Sequence, residues 1–103
     1  MADLSQEEWT SQMENDDNAV LLDVRTEAEV NEGYIPGAIN LDIYQSQEFI
    51  DAIKELDPDK SYYVYCRSGA RSGQACSIMN QLGIEKAYNL IGGFSNWNGP
   101  STQ

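Results

Sequence analysis

Residues 19–24 read Ala-Val-Leu-Leu-Asp-Val, an apolar run with a single polar break and no alternation. A strand with one wet face alternates, whereas a run like this suits a parallel strand buried on both faces. Such a strand must be covered above and below, and the flanking segments carry helical patterns that can do it. Residues 5–15 open with Ser5 and Glu8 in a capping box and place Trp9 and Met13 four apart on one face. Residues 46–56 repeat Phe49, Ile50, Ile53 and Leu56 at helical spacing, and residues 72–82 repeat Ala75, Ile78, Met79 and Leu82 before Gly83. Thr26 and Glu29 form a second capping box, opening a short helix that Gly33 can end. Short strands are predicted at residues 38–41, 61–65 and 87–90. Strand–helix alternation predicts an α/β fold, a three-layer α/β/α sandwich around a mainly parallel sheet of about five strands. A chain of 103 residues suits one domain, 1–103. Residues 99–103 are expected to fray.

The predicted strand 61–65 runs straight into Cys66-Arg67-Ser68-Gly69-Ala70-Arg71-Ser72, and the helix follows. Backbone N–H groups in so tight a loop can turn inward, and a helix N-terminus adds partial positive charge. A free thiol has a pKa of about 8.5, so only a few per cent is thiolate at neutral pH. Raising its acidity a hundredfold takes roughly 2.7 kcal/mol of preference for the anion. Amides from Arg67 to Ser72, through Ser68, Gly69, Ala70 and Arg71, are the expected source, with the two arginines beside them. Gly69 lets the backbone bend, and the Ser68 and Ser72 hydroxyls can donate to the anion or cap the helix.

Composition narrows the chemistry around that loop. There is no histidine, which removes Ser-His-Asp and Cys-His pairs and the common His-based zinc sites. The net charge of −11 argues against nucleic acid and against anionic membranes as partners. Only six cationic side chains exist, and two of them, Arg67 and Arg71, lie in the loop. Charges beyond about 8 Å are screened at physiological salt, so the loop can be positive on an acidic protein. No apolar run approaches a membrane span, and Met1-Ala2-Asp3-Leu4 has no signal-peptide character, so a cytoplasmic location is expected.

Cys66-Arg-Ser-Gly-Ala-Arg-Ser72 resembles the active-site loop of the rhodanese (sulfurtransferase) domain. Leu22-Asp23-Val24-Arg25, Glu29 and residues 33–41 (Gly-Tyr-Ile-Pro-Gly-Ala-Ile-Asn-Leu) are similar to that family's first signature. Gly92-Gly93-Phe94 with Trp97 is similar to its last. Departures exist: members often carry a histidine where this chain has Tyr34, a large aromatic where it has Val30, and a longer C-terminal helix. The resemblance implies that a Cys66 thiolate takes the outer sulfur of thiosulfate or a similar donor and carries it as a persulfide. An acceptor thiol or cyanide then removes it, a thioredoxin-like or sulfur-carrier protein being one such acceptor, with no metal or organic cofactor. Arg71 and Arg67 would grip a sulfonate, a solvent-facing side chain being the bland reading of Arg67. Asp23 and Arg25, at a strand's carboxyl end, read as an ion pair or loop tie supporting the site.

Two rival classes compete, and Cys76 has a reading of its own. A protein-to-protein sulfur carrier would use the same cysteine. A cysteine phosphatase or arsenate reductase has one more residue between cysteine and arginine than the four here, and usually a histidine where this chain has Tyr65. Cys76, ten residues on, reads as a buried hydrophobe, with a resolving thiol as the functional alternative. Cys76 is expected deep in its helix, more than two turns in and so roughly 10 Å or more from Cys66.

Overall fold

The structure, a computed structural model, describes residues 2–103. Five strands form one sheet: β1 (Ala2–Leu4), β2 (Ala19–Asp23), β3 (Ile39–Asn40), β4 (Ser61–Tyr65) and β5 (Ala87–Leu90). Their spatial order is β1-β5-β4-β2-β3, and every pairing is parallel. The helices are α1 (Gln6–Glu14), α2 (Glu27–Asn31), α3 (Ser46–Glu55) and α4 (Ala70–Gln81), and a 3-10 turn covers Phe94–Asn96. The expected α/β sandwich with a parallel sheet is what forms.

Strand β4 lies at the middle of the sheet and is buried along its whole length. Successive side chains leave it on opposite faces, so its residues divide between two cores. Tyr62, Val64 and Cys66 join Leu22, Phe49, Ile53, Ala75, Cys76 and Met79 on the side covered by α3 and α4. Tyr63 and Tyr65 join Trp9, Ile35 and Leu90 on the side covered by α1. Each buried phenol finds a partner: Tyr62 donates to the Asp57 carbonyl, Tyr63 to the Asp16 carboxylate, and Tyr65 accepts from the Ile35 amide. The tyrosines are therefore core residues whose polar tips are satisfied, and they offer no stacking platform.

Both capping boxes form as read: Ser5 with Glu8 opens α1, and Thr26 with Glu29 opens α2. One strand had no reading, and several local readings need correction. Strand β1 carries no apolar period, and only its pairing along β5 makes it a strand. Helix α4 begins at Ala70, two residues before the predicted start, because Gly69 takes a left-handed φ of 103° and turns the chain early. Cys76 is the seventh residue of α4, less than two turns in rather than the more than two expected. The tail does not fray: Thr102 exchanges two backbone hydrogen bonds with Tyr34, and Gln103 reaches the Glu32 carbonyl. Tyr34 thus serves the fold through its backbone. No helix among the described residues is long and apolar enough to cross a membrane.

Candidate active site

The sheet delivers Cys66 one residue past the carboxyl end of β4, where the neighbouring strand β2 also ends. Ligands of open α/β sheets are bound at this edge. The loop that follows is held from behind. Phe94 donates to the Cys66 carbonyl at 2.8 Å and Ser95 donates to the Arg67 carbonyl at 2.9 Å. With both carbonyls turned toward the Gly92–Gly93 segment, the next amides are free to face the sulfur. Gly93 makes the approach possible. Its φ is 58°, and a Cβ there would lie 2.6 Å from the Cys66 and Arg67 carbonyl oxygens. A glycine pair permits either a sharp turn or a close backbone approach, and at Gly93 it is the Cys66–Arg67 backbone that approaches.

Cys66 Sγ accepts from the Gly69 amide at 3.1 Å and lies 3.3 Å from the Ser72 hydroxyl. Burial alone would raise this thiol's pKa. The Ser72 hydroxyl, with the amides of Ser72, Gly69 and Ser68, outweighs it, and the thiol sits below its ordinary value. The anion cradle is therefore built from Ser68, Gly69 and Ser72. Ala70 and Arg71 supply the first turn of α4, whose N-terminus faces the same point. Cys66 is fully buried, so a donor must reach it at the loop.

The arginines divide in a way the sequence did not reveal. Arg71 was expected to offer an open fork. Both of its Nη groups are instead held by Glu29, at 2.7 and 2.8 Å. Glu29 is itself fixed by the Thr26 amide and hydroxyl, and Arg71 holds its carboxyl down to about 2, so the pair persists at any ordinary pH. Tyr44 stacks on the same guanidinium at 5.3 Å. A capping acid at the start of α2 thus doubles as the counter-ion of the loop, because the β2–α2 turn folds against α4. Arg67 is exposed and makes no ion pair among the described residues. It borders a cavity of about 230 Å³ together with Arg25, Glu29, Glu32, Gly33, Phe94 and Ser95.

Asp23 and Arg25 form the tie that was expected of them. They pair at 2.6 Å while almost fully buried, and Arg25 also donates to the Gly33 carbonyl at 2.7 Å. The Arg25 guanidinium lies 4.5 Å from the Phe94 ring centroid. One buried cation thereby joins the turn after β2, the turn at Gly33 and the segment that backs Cys66.

Asn89, on β5, is the site residue that sequence reasoning missed. It donates to the Asp3 carboxylate at 2.9 Å and to the Gly69 carbonyl at 3.2 Å, and it accepts from the Ser72 hydroxyl. The available signal was an asparagine inside a predicted strand, where that residue type is depleted. Cys76 has no comparable donors among the described residues. Burial pushes its thiol up to about 12, with the negative charge of Asp3 adding to the effect.

Comparison with known proteins places this geometry among relatives. The family model "Rhodanese-like domain" matches residues 6–100. A sulfurtransferase of Allochromatium vinosum is 34% identical over 95 residues, covering 92% of this chain and 86% of that protein. A Bacillus subtilis protein provisionally named a sulfur carrier is 28% identical over 97 residues, and the match spans 51% of its length. Among solved structures, a rhodanese-related protein of Thermoplasma volcanium superposes with a TM-score of 0.81 at 27% identity, covering 99% of this chain and 98% of that one.

Proposed function

Since the chain belongs to the rhodanese-like domain family, we propose that it transfers sulfane sulfur through a persulfide on Cys66. The observation that carries the reading is the sulfur held between the Gly69 amide and the Ser72 hydroxyl at the start of α4. That environment favours the anion, and the thiolate is the nucleophile in sulfur exchange. Names borne by relatives, a sulfurtransferase among them, support the same chemistry.

In the first step the Cys66 thiolate attacks the outer sulfur of a donor such as thiosulfate. A sulfur–sulfur bond forms at Cys66, the donor's sulfur–sulfur bond breaks, and sulfite leaves with the electron pair. In the second, an acceptor thiolate or cyanide attacks the outer sulfur of the persulfide, and the Cys66 thiolate is released. The loop amides stabilise charge at both stages as a preorganised site. Such double displacement follows ping-pong kinetics. Because Glu29 fills the Arg71 fork, a sulfonate on the donor would meet Arg67 and the loop amides, while Arg71 braces the loop.

A second reading, delivery of sulfur to a partner protein, draws support from the relative with a sulfur-carrier name. Its acceptor would be a thioredoxin-like or sulfur-carrier protein meeting this acidic chain in the cytoplasm. Incubation with thiosulfate followed by mass spectrometry tests the shared core of both readings. The expected result is a gain of one sulfur atom on Cys66, removed by added thiol; no gain from thiosulfate or from a protein persulfide donor would end both. Faster loading from a protein persulfide than from thiosulfate would select the carrier.

A further inference from the structure

Asn89 sits behind Ser72, away from the mouth of the loop, and its hydrogen bonds leave no freedom of orientation. An asparagine amide has two N–H protons and one acceptor oxygen. Here the nitrogen faces two groups that only accept, the Asp3 carboxylate and the Gly69 carbonyl. Turning the amide over would set its oxygen against both of them. Asn89 Oδ1 therefore faces Ser72 Oγ, and it can only accept.

Ser72 is fully buried and has one hydroxyl proton. Two acceptors stand within reach of it: Asn89 Oδ1 on one side and Cys66 Sγ, at 3.3 Å, on the other. With Cys66 protonated, its S–H can donate to Ser72 Oγ while Ser72 donates to Asn89, and each buried group is satisfied. With Cys66 ionised, the sulfur draws the Ser72 proton and the Asn89 oxygen is left buried without a donor. An unpaired buried acceptor is costly.

We infer that Asn89 is a positioning residue which, acting through Ser72, sets how readily Cys66 gives up its proton. It restrains the thiolate of the empty protein. The consequence for catalysis rests on the persulfide reading. Once sulfur is loaded, the negative charge moves to the outer sulfur and the inner one no longer competes for the Ser72 proton. The hydroxyl then turns back to Asn89, so loading relieves the restraint. The other charged or titratable groups around Cys66 are Arg71 with its Glu29 partner, Arg67 in the loop, Cys76 on α4, and Asp3, which accepts from the Asn89 amide.

The test is the rate of iodoacetamide alkylation of Cys66 across a pH series, with the modified peptide assigned by mass spectrometry. Asn89→Leu removes the competing acceptor at similar volume. It is expected to lower the kinetic pKa, giving a roughly three- to tenfold faster reaction on the acid side. Ser72→Ala is expected to raise the pKa, and the double variant should match Ser72→Ala alone. An unchanged or raised pKa in Asn89→Leu, or an undiminished effect of Asn89→Leu when Ser72 is absent, overturns the inference. The unmodified protein gives a second readout: the Asn89 side-chain carbonyl carbon resonance should titrate with the same midpoint as Cys66. A resonance that stays fixed through that midpoint overturns it as well. Neither measurement needs sulfur transfer, so failure of the functional reading and failure of this one are separable.

Discussion

Cys66 and Cys76 lie ten residues apart, in one apolar cluster, and each is fully buried. Burial alone would make both inert. Yet the thiol of Cys66 lies below its ordinary value, while that of Cys76 is pushed up to about 12. The difference is the donor set. Cys66 follows a strand and meets amides and a hydroxyl before any helical hydrogen bond can claim them. Cys76 lies inside α4, where the backbone groups are already committed to one another. The lesson concerns position along the chain: a buried cysteine becomes a nucleophile at a strand–helix junction and a hydrophobe one helical segment later.

Exchanging the sulfur for oxygen at each position should divide the two most sharply. Cys66→Ser is expected to reduce sulfur loading to background with the fold intact by circular dichroism, and Cys76→Ser to keep most of it. Comparable losses in both variants would mean that the two thiols share the reaction.

Next in size is the removal of what distinguishes Cys66. Gly93→Ala places a methyl group 2.6 Å from the Cys66 and Arg67 carbonyl oxygens, at a left-handed φ of 58°. Overpacking of this kind costs roughly 1–3 kcal/mol. The loop should shift, the alkylation pKa of Cys66 should rise toward that of a free thiol, and loading should fall. If stability drops while that pKa stays put, the cradle does not depend on its backing.

The smallest effect is a pH dependence with opposite signs at the two thiols. Folded Cys76 keeps its proton to about 12, whereas an unfolded chain releases it near 9. Between those values the folded state binds more protons, so stability falls as pH rises. Tyr63, also pushed up to about 12, adds to that fall in every variant that keeps it. Cys66 has the reverse sign, its stabilising share growing as pH rises toward 9. Urea midpoints at pH 9 and pH 11 should therefore show a smaller alkaline loss in Cys76→Ala than in the parent. Equal losses would mean that Cys76 ionises without resistance in the folded protein.

Much of this molecule was legible before any coordinates. The apolar run of residues 19–24, without alternation, named the buried parallel strand, two capping boxes set the starts of α1 and α2, and the cysteine loop was placed between a strand and a helix. These are local signals, written within a few residues of one another by steric and hydrogen-bonding preferences that the chain carries anywhere. What the tertiary structure decided was which distant groups meet: Glu29 with Arg71, Asn89 with Ser72, the Gly93 backbone with Cys66, Thr102 with Tyr34. Those pairings come from the order of strands in the sheet, which no short-range pattern encodes. They turned a cation expected to face a substrate into a brace for the loop, because a carboxylate brought close by folding outcompetes a sulfonate that must first bind.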